Sequence, residues 1–177
     1  MSVARHWGTA AAERALPFPC DRYVARPDAA YFRGVTVHAR PAALFRWLCQ
    51  MRVAPYSYDW IDNRGRRSPR TLTPGMERLA IGQSMMRIFT LVEFAQDRHL
   101  TLRIKHGTGA FRLFGDVALT YLIEPDGPDR CRLLVKIVVR YPRGPAGQLM
   151  RWGLPWGDLV MMRRQLLNLK ALAESGR

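Results

Sequence analysis

The sequence predicts an α+β domain in which a strongly curved antiparallel β-sheet wraps around a long C-terminal helix, with two short helices after the first strand. Three observations lead there. A strand-like run near residue 30 passes directly into a helical stretch, AYFRGVTVHARPAALFRWLCQM. Four strand-length runs follow one another between residues 85 and 141, with turn-type connections. The chain then closes on a stretch whose apolar residues recur at helical spacing. With 177 residues, 48% of them apolar, the chain can fill one sizeable core, so a single domain is expected.

Residues 1–28 carry Ala, Pro and Arg without a sustained period, which predicts an N-terminal arm that packs loosely or stays mobile, with the domain proper over 29–177. In AYFRGVTVHA, alternation places Val35 and Val37 on one face of a strand and Thr36 and His38 on the other. Pro41 suits a first helical turn, and Leu44, Trp47, Leu48 and Met51 then make one apolar helix face. Ala54-Pro55 ends that helix. Tyr56 to Asn63 has the length of a second, short helix, and Asn63-Arg64-Gly65 offers an exit through left-handed backbone. SPRTLTPGMERLAIGQ is punctuated by Pro69, Pro74-Gly75 and Gly82, leaving room for only short strands.

The four strand runs are MMRIFTLVEFA, HLTLRIKH, FGDVALTYLIE and CRLLVKIVVRY, the last two joined by PDGPD, a hairpin turn and not a crossover. QLMRWG and GDLVMMRRQLLNLKALAE complete the chain as a helix expected to be interrupted at Pro155, with Leu159, Met162, Leu166, Leu169 and Ala173 as its buried stripe.

The stretch YFRGVTVHARPAALFRWLCQMRVAPYSYDWIDNRGRRSPRTLTPG resembles the N-terminal part of the SRPBCC group of START-like, Bet v 1-like helix-grip proteins. The later strands and the final helix follow the same order, so the resemblance covers about residues 29 to 173. It implies a groove between sheet and terminal helix that takes an apolar ligand. That superfamily includes lipid and sterol carriers, plant hormone receptors, polyketide cyclases and aromatases, and chaperone activators. Because the groove entrance of related folds lies near the short helices, the resemblance gives Tyr56, Tyr58, Asp59, Trp60 and Asn63 a place around the ligand. No catalytic carboxylate of the cyclase members aligns residue by residue, so no catalytic residue is assigned.

The segment APYSYDWIDNRGRRSPR holds these residues and reads as a lid. On a helix Tyr56, Asp59 and Trp60 would share a face, and Asp59 could meet Asn63. Either these side chains contact ligand, or Trp60 and a tyrosine plug the end of the groove while Asp59 and Asp62 pair with Arg64, Arg66, Arg67 or Arg70.

Strand parity adds further candidates. Leu133, Val135, Ile137, Val139 and Tyr141 face inward, as do Val117, Leu119, Tyr121 and Ile123, and Leu100, Leu102, Ile104 and His106, whereas Lys136 and Arg140 face outward. His106 could transfer protons in a cavity, although a histidine at a sheet rim is the more common outcome. His99 falls on the opposite face, and neither His6 nor His38 supplies ligand spacing, so no metal site is expected. Gly107 and Gly109 lie between β segments and are not expected to open a helix that could cradle phosphate. Ser57 and Ser84 sit in no nucleophile elbow. Met85-Met86 and Met161-Met162 would make a groove adaptable, and Met162 lies on the buried stripe.

The 28 basic residues against 14 acidic ones give a net charge of +14, a field that favours anionic partners. Arg103, Lys105, Lys136 and Arg140 fall on the outward face with Asp116 and Glu124 between them. The strand aromatics face inward, so no specific nucleic-acid binding is expected; a transient contact with an anionic membrane surface fits the charge. Cys20, Cys49 and Cys131 are odd in number and form no CxxC pair, which fits a reducing cytoplasm. The first residues hold no continuous apolar core and no stretch approaches about 18 apolar residues, so a soluble, unprocessed protein is expected.

The functional expectation is binding of a hydrophobic or polycyclic small molecule in the groove, without a cofactor. One alternative is a metal-free lyase of the cyclase or dehydratase type, with His106, Asp59 or a tyrosine in acid-base work. Another is a basic module for membranes or nucleic acid.

Overall fold

The computed structural model describes residues 3–62 and 65–176. Two single-turn helices, α1 (Val3–His6) and α2 (Ala11–Arg14), precede strand β1 (Ala29–Val37), helix α3 (Pro41–Cys49) and the single turn α4 (Asp59–Asp62). Strands β2 (Ser84–Met85), β3 (Phe89–Ala95) and β4 (His99–Ile104) follow, then helix α5 (Gly109–Phe114), strands β5 (Asp116–Pro125) and β6 (Cys131–Arg140), and the terminal helix α6 (Pro145–Ser175). All strand pairs are antiparallel, in the order β1-β6-β5-β4-β3-β2.

The inner face of the sheet carries the main core. Tyr31, Leu100, Leu102, Tyr121, Val135 and Val139 are buried there against Leu44 and Leu48 of α3 and Leu166 and Leu169 of α6. The parity assigned to β4, β5 and β6 is therefore correct, and the helix stripe Leu159, Met162, Leu166, Leu169, Ala173 is buried throughout. α6 is not interrupted at Pro155, which lies within it; the packing of a 31-residue helix outweighs the roughly 3 kcal/mol cost of one proline.

The outer face is covered as well. Phe18, Cys20 and Val24 form a second buried cluster with Ala118, Leu122, Leu134 and Val138. The Cys20 N–H donates to Thr120 Oγ1 at 2.9 Å, which ties the arm to the middle of β5. Residues 18–24 are thus packed, not loose. Lys136, expected in solvent, lies beneath this layer with its side chain 15% exposed, paired to Asp21 at 2.7 Å and set over the rings of Phe18 and Phe32. Arg140 is exposed, as its parity requires. Nearer the N-terminus, His6 and Trp7 bridge in parallel to Phe32 and Arg33 of β1. This approach depends on glycine. A Cβ on Gly8 (φ +73°) would lie 2.1 Å from the Gly34 carbonyl oxygen.

Three local expectations change. The run MMRIFTLVEFA is not one strand, because Met86 and Arg87 both have positive φ and turn the chain between β2 and β3. The runs HLTLRIKH and FGDVALTYLIE are shorter as strands, ending at Ile104 and starting at Asp116, and between them Thr108 caps α5 by accepting from the Phe111 N–H; Gly109 does open a short helix. His106 consequently lies beyond the end of β4 and loses its inward phase.

Candidate functional site

Sheet and α6 do not meet along their whole length. Between them lies a cavity of about 560 Å³, walled by Leu119, Ile137 and Val139 of the sheet, by Met150, Leu154, Gly157 and Met161 of α6, and by Pro55, Ser57 and Ile61 of the lid. The size suits a small organic molecule. The wall is apolar apart from a few groups, and each of those is already held by a neighbour.

At one place β1 faces α6. Arg33, fully buried, donates from Nη2 to Asp158 Oδ2 at 2.7 Å and to the Ala4 carbonyl at 2.8 Å, and from Nη1 to the Phe32 carbonyl at 2.9 Å. Arginine suits this position because its planar fork can reach several acceptors at once. Asp158 lies on the cavity wall. Burial pushes its carboxyl up to about 6, and the Arg33 guanidinium opposes that rise. Beside it Tyr31, also on the wall, shares a hydrogen bond with the Tyr141 hydroxyl. Burial raises the Tyr31 pKa, and the hydrogen bond to Tyr141 adds to the rise, so Tyr31 stays a neutral phenol at ordinary pH.

A second polar group anchors the lid from inside. Tyr121 Oη donates to Gln165 Oε1 at 2.5 Å, and Gln165 Nε2 donates to the Pro55 carbonyl at 2.5 Å. Three residues along α6, Asn168 Nδ2 donates to the Tyr56 carbonyl at 2.8 Å. These bonds hold Tyr56 at φ +59°, an uncommon conformation for an aromatic residue, and turn its ring edge-on to Trp47 at 6.1 Å.

The lid residues named from sequence are therefore distributed differently from a single helical face. Tyr56 precedes α4 and is buried among the α3 side chains. Asp59 accepts from the Ser68 N–H at 2.9 Å and from Ser68 Oγ at 2.5 Å, closing the following loop. Trp60 is 75% exposed. Neither it nor Tyr58 is on the cavity wall, where Pro55, Ser57 and Ile61 stand instead. Asn63 lies outside the described residues. His106 is also off the wall, stacked on Phe111 at 4.5 Å and 3.3 Å from Asp116. Tyr121 and Met162 do line the cavity, and Tyr141 reaches it through Tyr31.

Tyr31, Arg33, Asp158 and Gln165 were not identified from sequence, yet each left a signal. Tyr31 and Arg33 share the parity of Val35 and Val37 on β1. Asp158 and Gln165 stand four residues before and three residues after Met162, on the stripe's own face.

No protein-family model matches the chain, and no curated protein matches it. Solved structures do. A hypothetical protein from Helicobacter pylori is 15% identical, with 90% of this chain and 96% of that one covered at a TM-score of 0.54. A protein from Mesorhizobium loti is 14% identical over 84% and 99% at 0.50. A START superfamily protein from Mycobacterium smegmatis lies further off, 14% identical over 84% and 99% at 0.46. The likeness to the first two shows the fold alone: a six-stranded antiparallel sheet closed on a long C-terminal helix.

Proposed function

We propose that this protein binds an apolar small molecule, with one polar end, in the cavity between the sheet and α6. The observation that carries the reading is the cavity itself: about 560 Å³ of apolar-walled space inside an otherwise closely packed domain, with Asp158 and Tyr31 together on the wall. Burial of ligand surface would supply affinity at about 25 cal/mol per Å² before ordering costs. Asp158, Tyr31 and Gln165 would orient a hydroxyl or amide at the polar end. Three free, buried cysteines accord with a reducing cytoplasm.

Gly157 supplies the test. It lies on the cavity wall, and a Cβ there would meet no atom within 4 Å. Gly157→Leu therefore adds volume beside the cavity and should raise helix stability by up to about 1 kcal/mol. Mass spectrometry of organic extracts should find a compound with the wild-type protein and not with this variant, although both fold. An equal yield from both would remove the cavity as the site.

A second reading, an enzyme acting on an apolar substrate, draws on the Asp158 carboxyl, which is cavity-facing and raised toward neutral pH. On that reading Asp158→Asn would still retain the co-purifying compound but would no longer convert it.

A further inference from the structure

The first half of α6 carries large apolar side chains on the face turned away from the sheet. Leu149, Trp152, Trp156 and Val160 are all exposed, the tryptophans by 82% and 58%. At 100° per residue these four fall within an arc of about 80°, so they form one stripe. Exposed tryptophans in series are costly on a surface that meets only water.

The exposed charges that this part of α6 itself carries have one sign, although Arg151 is paired to Asp28 at 3.0 Å. Between Pro145 and Arg164, α6 carries Arg151, Asp158, Arg163 and Arg164. The single acid is turned inward to Arg33, while Arg163 and Arg164 are exposed at the end of the stripe. α5, packed beside α6, repeats the combination with exposed Leu113 and Arg112. The stripe also borders the cavity. Gly153 and Gly157, on the same helix segment, belong to the cavity wall, and so does Ile61, itself 53% exposed.

We infer that this face of α6 docks on the surface of an anionic lipid bilayer, which would place the cavity beside the acyl boundary from which an apolar ligand is taken or to which it is returned. The inference rests on the ligand-binding reading for its purpose, while its geometry stands apart from the cavity. Tryptophan favours the interfacial depth, and arginines beside it meet anionic headgroups. Among the described residues no helix is long and apolar enough to cross a membrane, so the helix would lie in the interface and not span it. A second copy of the chain is a poorer occupant, since each copy carries a net charge of +14.

Flotation with phosphatidylcholine vesicles, with and without about one third phosphatidylglycerol, tests this. The wild type should float with the mixed vesicles, remain in solution with phosphatidylcholine alone, and be released by high salt. Trp152→Ser/Trp156→Ser should lower partitioning at least about tenfold. Arg112→Glu/Arg164→Glu should lower it without touching an apolar residue, which keeps the test valid if the tryptophan variant folds poorly. Uptake of a soluble fluorescent fatty acid should be the same in all three proteins. If none takes it up while the flotation contrast holds, the docking surface stands and the cavity reading loses its support. The docking inference is overturned if the wild type ignores anionic vesicles, or if the variants float equally well. It is also overturned if sedimentation shows a dimer that the tryptophan variant dissolves, or if the same tryptophans serve oligonucleotide binding in a protein that ignores vesicles.

Discussion

The two halves of α6 have opposite relations to the sheet. From Leu159 to Ala173 the inward stripe is buried without a gap, and Gln165 and Asn168 fasten the lid backbone to it. From Met150 to Gly157 the helix borders the cavity with two glycines in its wall, and it turns two tryptophans outward. One continuous helix thus fixes the fold at its C-terminal end and leaves space at its N-terminal end. Apart from Met161, Met162 and Gln165, which also line the cavity, substitutions in the first region should be read in stability, and those in the second in binding.

The largest effect should come from Leu166→Asp. Leu166 is fully buried, and an unpaired carboxylate there should cost about 4 kcal/mol or more, a large share of the stability of a domain this size. Arg163→Asp, three residues away on the exposed side, should cost less than about 1 kcal/mol. Equal thermal melts for the two would mean that the C-terminal half is not gripped.

Next is the polar joint between the halves. Arg33→Ala removes the cation from Asp158 and leaves three other acceptor contacts unmade. At neutral pH the cost should be about 3–5 kcal/mol. Chemical denaturation of this variant should show a lowered midpoint with m unchanged.

The pH dependence of the same joint is smaller and has a definite sign. The Asp158 carboxyl is raised to about 6 from its ordinary value of 3.8, so between those pH values the folded chain holds a proton that the unfolded chain has lost. Its contribution to stability is greatest below about pH 4 and is lost as pH rises through 6, by about 3 kcal/mol at most. His6 and Glu93, both held below their ordinary values, add pH dependence of their own. The difference between wild type and Asp158→Asn isolates the aspartate. A difference that grows in the wild type's favour as pH rises from 4 to 6.5 would show that the ion pair with Arg33 outweighs burial.

Long-period patterns were legible from residues alone, because burial of one face leaves a regular trace. The parity of β5 and β6 and the stripe on α6 are of this kind. Single contacts leave no period. Phe18, Cys20 and Val24 seal the outer face as isolated apolar residues in an arm without alternation, and the left-handed Tyr56 is held by bonds from α6 that lie 110 and more residues away. The Arg33–Asp158 pair stands between these cases. Parity places the arginine inside and helical spacing places the aspartate on the buried stripe, but neither shows that the two positions meet.

The smallest expected effect concerns Trp60, which the helical reading of the lid placed toward the ligand. Its ring is exposed and absent from the cavity wall, while its neighbour Ile61 is on that wall. Trp60→Phe should change the melting free energy by less than about 0.5 kcal/mol and leave fatty-acid affinity unchanged. Ile61→Ala removes apolar surface from the wall, and at about 0.8 kcal/mol per lost methylene it should weaken binding several-fold. Titration of the three proteins with the fluorescent fatty acid separates the possibilities. If Trp60→Phe weakens binding more than Ile61→Ala does, the lid must rotate on loading so that the indole comes inward, and the bonds from Gln165 and Asn168 to Pro55 and Tyr56 would then form the hinge about which it turns.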